Sequence, residues 1–462
     1  MVRLSHFLGI IAGVLLRTRF RHGLRHVPGP FLASFSSIWK VRAVYLGEMP
    51  RRNVAVHEKY GSVVRIGPKH VSVSSPEAFS LIYTSRRSFA KSDFYGVGAP
   101  MYRGGPLENL FSTRDVDYHA NLRRNIGPLY TKTAVREFEP HVDSCVSLFT
   151  KRLSELSSNG ASLLDMSLWL HLYAYDCLGE VNISRKLGFL EAGQDVGGMI
   201  AAADKIFHMV GLLLKIVFDE VDKRLKRQEP QTDMLQKFLA LHATRKDKVT
   251  IRELTAAIFI NLMAGHDVLA ITLRAIWYYL SQDPSILATL RDEISMAREG
   301  LPCDAPLPYS TISTMPYLEA FIYESLRIHP NTGTIIERVV PQNGVTIDGF
   351  YLPGGTIVGV NAWVLHRNPE IYGKDVDVFR PERWLEATSE KRIEMEKHIF
   401  TFGAGAHTCI GKNIALMQIS KLVVEFWRQF DAVKAEPEKP WKIHGSWVTK
   451  QTDMDMMISQ RG

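Results

Sequence analysis

Apolar residues recur at helical spacing along most of this chain. Residues 412–430 (KNIALMQISKLVVEFWRQF) carry an apolar stripe over about five turns. Residues 250–280 open on Thr250-Ile251-Arg252-Glu253, a capping box, and continue apolar on nearly every side (AAIFINLMAGHDVLAITLRAIWYYL). A helix of that length, about 45 Å, crosses a whole domain. Its surface predicts burial in a large core or a membrane, and His266, Asp267 and Arg274 within it argue for the core. Gly265 in mid-helix costs about 1 kcal/mol relative to Ala, which predicts a close approach to the backbone there. Residues 317–328 predict a shorter helix with Pro316 near its first turn. Residues 131–248 read as helical almost throughout, punctuated by Gly160, residues 188–198 and Pro230.

Strand signals are fewer. Residues 61–73 (GSVVRIGPKHVSV) predict two short strands about Gly67-Pro68, and residues 333–340, 345–351 and 356–360 are β-rich runs expected to extend the same small sheet. Residues 94–112, rich in Gly and Pro, predict a long loop. The whole is mainly α with a small β portion, without internal repeats.

At 462 residues and 46% hydrophobic content the chain fills one large enzyme domain or two to three average ones. The net charge of +8 is spread out apart from runs at 17–25 and 223–227. A nucleic-acid partner is therefore not expected, and a basic face for an acidic protein or anionic lipid fits better. Cys145, Cys177, Cys303 and Cys409 show no paired spacing, so neither a disulfide framework nor a zinc site is indicated. Residues 4–16 are apolar except for Ser5 and His6 and are followed by Arg17, Arg19, Arg21 and Arg25. As a helix they reach about 20 Å against roughly 30 Å of hydrocarbon, which leaves a spanning helix, an interfacial one and a misplaced start codon all open. No small-residue cleavage site follows, and the basic flank would keep the main body cytoplasmic.

The stretch with the most chemistry is Phe402-Gly403-Ala404-Gly405-Ala406-His407-Thr408-Cys409-Ile410-Gly411, a glycine-rich loop that carries one cysteine to the start of a helix. Unpaired N–H groups and the helix dipole favour a thiolate there, and Gly403, Gly405 and Gly411 permit positive φ or close approach to a flat partner. A lone cysteine beside such a turn is ordinarily structural. The wider sequence reverses that reading.

The ten residues match Phe-x-x-Gly-x-(Arg/His)-x-Cys-x-Gly, and the chain from Pro28 onward resembles the cytochrome P450 family. Further motifs occur in that family's order. Ala264-Gly265-His266-Asp267 is similar to its oxygen-binding motif, although Val268 stands where Thr is usual, and Thr272 one turn on is a poor substitute. Glu324-Ser325-Leu326-Arg327 matches Glu-x-x-Arg, and Arg383, in Phe379-Arg380-Pro381-Glu382-Arg383-Trp384, matches the Arg that completes a buried triad with Glu324 and Arg327. His119 and Arg123, four apart on one helix face, Arg338 on a strand, and His407 match groups that meet the heme propionates. By the same resemblance residues 332–335 and 446–448 line the substrate pocket, and residues 94–112 roof it. Residues 202–222 look shorter than in family members, from a real narrowing or an exon missed in the gene.

The resemblance implies a cytochrome P450 fold, with residues 1–27 a membrane anchor and basic linker and residues 28–462 the catalytic domain. It implies heme b with Cys409 as axial thiolate. It implies catalytic roles for Ala264, Gly265, Asp267 and Val268, with His119, Arg123, Arg338, Phe402, His407 and Cys409 binding the cofactor. Expected partners are NADPH–cytochrome P450 reductase, a small apolar substrate, and the endoplasmic reticulum membrane through the N-terminus, with the catalytic domain facing the cytoplasm. The group most resembled is that of fungal microsomal enzymes of secondary metabolism, near pisatin demethylase. The reaction implied is oxygen insertion. Val268 keeps open oxidative coupling or desaturation without insertion, redox-neutral rearrangement, and a non-catalytic heme-binding protein.

Overall fold

The computed structural model describes residues 2–84, 89–202, 206–226, 231–302 and 305–461. Arg227, Pro230 and Cys303 lie outside the described residues, as do three positions of the 202–222 stretch. Helices take up 59% of the chain and strands 12%, which bears out a mainly α fold with a small β portion. The chain forms two compact units, each assembled from separated stretches.

The first unit comprises Met1–Phe94, Leu326–Cys409 and Ile443–Lys450. Its centre is a five-stranded sheet in the order Val63–Gly67, His70–Val73, Ile357–Val360, Arg338–Val339, Ala90–Lys91. The first two strands pair antiparallel about the expected turn, and Ile357–Val360 joins parallel to the second. Val64 and Ile66 on one face pack with Met49, Ala43 and Ile335. Residues 345–351 do not extend this sheet. They fold back as a separate hairpin, Val345–Ile347 with Phe350–Leu352, because Asp348 and Gly349 both adopt positive φ, the signature of a tight two-residue turn. The N-terminal helix is longer than its apolar residues alone predict. It runs Val2–Arg21, about 30 Å, since the arginines after residue 16 are good helix formers.

The second unit comprises Tyr95–Ser325, Ile410–Lys442 and Gln451–Gly462. Its axis is the long helix Ile251–Gln282, which starts at the expected capping box: Glu253 N–H donates to Thr250 Oγ1, and Thr250 N–H to Glu253 Oε2. Among the described residues this helix alone is long and apolar enough to cross a membrane, but it is mostly buried within the protein. Helix Met166–Ile183, buried on nearly all sides, packs along it. Helices Glu139–Leu156 and Lys412–Gln429 pack beside each other, and the fully buried Lys421 is met there by Glu139 (2.7 Å) and Asp143 (2.5 Å).

Two strands of this unit escaped the helical reading. Ser162–Asp165 lies inside the stretch read as helical and pairs with Asp455–Gln460, which pairs in turn with Phe430–Lys434. Helix Lys412–Gln429 therefore stops one residue short of its expected end, and Phe430 begins a strand. The expected loop of residues 94–112 is irregular apart from the short 3-10 helix Asp93–Gly98 and a small hairpin, Met101–Tyr102 with Gly105–Pro106. Arg252 holds that hairpin by donating to the carbonyls of Tyr102, Gly105 and Pro106.

Candidate functional site

In the first unit the cysteine loop is fixed by its own backbone. Gly403 N–H donates to Phe400 O (2.9 Å), Thr408 N–H to Gly405 O (3.1 Å), and Cys409 N–H to Phe402 O (2.7 Å). Gly403 and Gly405 have φ of +67° and +61°, and a Cβ on Gly405 would collide with the carbonyl oxygen of Tyr83. Gly411, at φ −80°, needs no such freedom. It is the N-cap of Lys412–Gln429, so Cys409 lies two residues ahead of the cap and not at the helix start. The helix dipole falls off over such a distance and favours a thiolate less than the sequence suggests. The side chain of Cys409 is exposed, whereas Cys145 and Cys177 are buried. Phe402 and His407 are half-buried.

Behind the loop stands His366, which the sequence did not single out. Phe400 N–H donates to its Nε2 (2.8 Å), so its proton sits on Nδ1 and is donated to Arg327 O (3.0 Å). Burial pushes its pKa down to about 3, which keeps the ring neutral in that tautomer. Thr401 Oγ1 adds a bond to Leu326 O (2.8 Å). The loop is thus tied twice to the end of helix Pro316–Ile328. Replacing His366 with Leu orphans a buried N–H and a buried C=O. The expected loss is about 2–4 kcal/mol in chemical denaturation, with no effect on surface charge.

Glu324, Arg327 and Arg383 are all buried. Arg327 donates to the carbonyls of His366 (3.1 Å), Val376 (2.6 Å) and Val378 (3.1 Å). Arg383 donates to Tyr372 O (2.5 Å), Val378 O (3.0 Å) and Asp375 Oδ1 (2.7 Å). The two guanidinium groups therefore clamp residues 372–378 and share the Val378 carbonyl. Asp375, a partner the motif did not reveal, has its pKa held down to about 2 by its bonds to Arg383 and Arg380. Arg338 lies on its expected strand, 3% exposed, with its guanidinium 5.2 Å from the ring centroid of Tyr83. Residues 332–335 and 446–448 adjoin, through a Thr332–Val448 bridge and a bond from Gly333 N–H to Trp447 O.

In the second unit Asp115 caps helix Val116–Ile126 by accepting from the N–H groups of Asp117 and Tyr118. His119 is buried and Arg123 half-buried on that helix, four residues apart. On the long helix Ala264 is exposed in mid-run, and Val268, one turn on, is half-buried. The predicted approach at Gly265 comes from a neighbouring helix: a Cβ there would stand 2.8 Å from both methyl carbons of Leu178. Thr272 Oγ1 donates to Val268 O (3.0 Å), so its hydroxyl is committed to its own helix.

Asp267 belongs to a buried polar cluster that the motif did not disclose. Its Oδ1 lies 3.3 Å from His171 Nε2 and 3.6 Å from His266 Nδ1. Among the described residues these three alone have metal-ligand spacing. The hydrogen bonds give a different reading. Arg274 only donates, and its Nη2 faces His171 Nδ1 at 3.3 Å, so a neutral His171 carries its proton on Nε2, where a metal would need a lone pair. That proton points at His266 Nδ1 (3.1 Å), the two rings lying nearly parallel with centroids 5.4 Å apart. His266 then carries its proton on Nε2, toward Tyr175 Oη (3.4 Å). The cluster is a directed hydrogen-bond chain, with Asp267 beside the nitrogens that share a proton.

A heme needs a soft anionic ligand for iron, cations for two propionates, and a smooth apolar wall. Within the first unit the exposed Cys409, on a loop where Gly405 tolerates no Cβ, offers the ligand, and the buried Arg338 with His407 offers donors for a propionate; within the second unit His119 and Arg123 share a helix face and Ala264 is an exposed small apolar position on the long helix. The residues present fit the group.

Comparison with known proteins agrees. Residues 199–456 match the model of the cytochrome P450 family. The chain is 34% identical to the cytochrome P450 monooxygenase cicH of Emericella nidulans, over 100% of this chain and 98% of that one. It is 33% identical to pisatin demethylase of Fusarium vanettenii, over 96% of this chain and 90% of the other, and 33% identical to the cytochrome P450 monooxygenase gsfF of Penicillium aethiopicum, over 98% and 97%. With motif, fold class and whole-length similarity in agreement, the chain belongs to the cytochrome P450 family and is of the fungal secondary-metabolism type.

Proposed function

We propose that Cys409 is the axial thiolate of heme b and that the enzyme oxidises a small apolar intermediate of secondary metabolism with O2 and electrons from NADPH. The chain is a P450 monooxygenase, an oxidoreductase whose family works with a redox partner and an organic substrate. The observation that carries the assignment of Cys409 is its exposed thiol on a loop pinned by three backbone hydrogen bonds. When bound, the heme supplies oxygen activation, assisted by electron density from the thiolate. The protein's own groups do the rest. Arg338 and His407 of the first unit and His119 and Arg123 of the second would hold the propionates, Phe402 would adjoin the heme from the cysteine loop, and Arg327 and Arg383 keep residues 372–378 in place. Ala264 leaves the helix surface low, Gly265 lets Leu178 of the neighbouring helix pack close, and Asp267, braced by His171, holds and passes a proton.

The test is direct. Reduced protein under carbon monoxide is expected to show the red-shifted Soret band of thiolate-ligated heme, and its absence would overturn the assignment. Product formed under labelled oxygen is expected to carry the label. Desaturation or oxidative coupling is the second reading, favoured by the absence of a hydroxyl at Val268 and the committed hydroxyl of Thr272, and unlabelled product would select it.

His171→Leu removes the brace and leaves polar atoms of Arg274 and Asp267 without it, at about 1–3 kcal/mol each. Turnover is expected to fall about tenfold, with more NADPH electrons lost as hydrogen peroxide. His171→Gln keeps a donor and an acceptor and is expected to restore most of the coupling between NADPH and product.

Residues 1–27 act as anchor and linker and residues 28–462 as catalytic domain, placing the enzyme on the cytoplasmic face of the endoplasmic reticulum. Exposed apolar side chains follow the N-terminal helix, among them Phe31, Leu32, Ile38, Val41 and Tyr45, and support contact with lipid. NADPH–cytochrome P450 reductase supplies the electrons and docks on the basic face.

A further inference from the structure

The N-terminal helix ends in a cleft of about 360 Å³, at the small end of the range for ligand sites, lined by Arg21, His22, Lys69 and residues 353–356. No acidic side chain lines it. Among the described residues the side chains of Arg21, His22 and Lys69 have no hydrogen-bonding or ion-pair partner. Beneath lies a further cation, Arg65, 2% exposed, which donates to Leu24 O (3.3 Å), Gly67 O (3.3 Å) and Pro68 O (2.6 Å). These bonds tie the end of the helix to the turn that carries Lys69, so the cations are held together by the fold. His22 feels the result: its pKa is lowered by burial and then by Arg21, Arg65 and Lys69, all positive. A concave site of one sign concentrates its field and attracts a compact, multiply charged anion.

The place of the cleft suggests which anion. The apolar run of helix Val2–Arg21, residues 4–16, reaches about 20 Å into a hydrocarbon layer of about 30 Å, and Arg17, Arg19, Arg21 and His22 follow it, at the level of the headgroups. We propose that this cleft binds the phosphomonoester of an anionic lipid headgroup and so sets the height and tilt of the first unit on the membrane. The proposal rests on reading the N-terminal helix as membrane-embedded.

The experiment uses the full-length holoprotein and three probes: phosphatidylcholine vesicles, the same vesicles carrying phosphatidylinositol 4-phosphate, and soluble inositol phosphate. Binding to the phosphoinositide vesicles is expected to be tighter, and Lys69→Glu or Arg21→Glu, both at exposed positions, to weaken it about tenfold or more without changing binding to phosphatidylcholine. Arg17→Glu makes the same charge change outside the cleft and is expected to have a much smaller effect. Equal losses from Arg17→Glu and Lys69→Glu would show diffuse surface charge and overturn the site. If phosphatidylcholine vesicles bind no protein, the membrane reading fails, and soluble inositol phosphate still decides on the cleft: binding lost in Lys69→Glu supports a phosphate site, and no binding overturns it. Tight binding of the soluble probe with no preference among vesicles would assign the cleft to a free phosphate ester and overturn the lipid.

Discussion

Cys409→Ser is expected to yield a folded protein with no measurable turnover and no red-shifted Soret band under carbon monoxide. The two side chains are nearly isosteric, and Cys409 is exposed, so the stability change should stay within about 0.5 kcal/mol. The bond from its N–H to Phe402 O is a backbone one, and the positive φ of Gly403 and Gly405 does not depend on the thiol. The ligand chemistry alone changes. A cysteine thiol with an ordinary pKa near 8.5 reaches the thiolate state easily and binds iron as a soft, electron-rich donor. A serine hydroxyl stays protonated and offers a hard, weak one. Absorbance spectroscopy of the reduced protein and thermal melting separate the two effects. A red-shifted band in the variant would mean that another thiol binds the iron. Of the other cysteines, Cys145 and Cys177 are buried, and the hydrogen bond with Cys177, followed by burial, pushes the pKa of Cys145 well up.

What the sequence disclosed was local. Thr250 and Glu253 meet within one turn, and Gly67-Pro68 turns a strand on its neighbour, so both features appeared where expected. Arg338 could be placed on its strand because the motif around it is contiguous. Features made by distant partners stayed hidden. Ser162–Asp165 is a strand only because Asp455–Gln460 reaches it, and four residues carry too short a pattern to show this. His366, Asp375 and His171 sit outside the motifs, and their roles arise from what folding brings to them: the Phe400 N–H, the Arg383 guanidinium, and Asp267. Gly265 shows the boundary well. The cost of a mid-helix glycine announced a close approach, but only the packing of Met166–Ile183 identified Leu178 as the neighbour.

Histidine burial gives the second large effect, a loss of stability in mild acid centred on the first unit. His57, His70, His329 and His366 all belong to that unit, and burial lowers each from a reference of 6.5, the first two to about 4 and the others to about 3. These groups are neutral in the fold and held so by specific bonds: His57 Nδ1–H donates to Gly61 O (2.9 Å) and its Nε2 accepts from Ser72 Oγ (2.7 Å). Below pH 6.5 the unfolded chain takes up protons that the folded chain refuses until its own, lower pKa values are reached. The unfolded state binds more protons across that window, so stability falls as pH drops through it and levels off near pH 3 to 4. Each group contributes about 1.4 kcal/mol per pH unit, and four acting together about 5 kcal/mol. A total stability of about 5–15 kcal/mol is then exhausted within one to three units. In the second unit Asp143 and Asp176 have raised pKa values, from burial first, and oppose the trend by recovering stability as they protonate. Chemical denaturation between pH 7 and pH 4.5, followed by far-ultraviolet circular dichroism, is expected to show this slope. His57→Gln should make the slope shallower, since Gln does not titrate. Stability that stays flat across the window would mean that the histidines take up protons inside the fold, and with them would go the neutral His366 that pins the Cys409 loop.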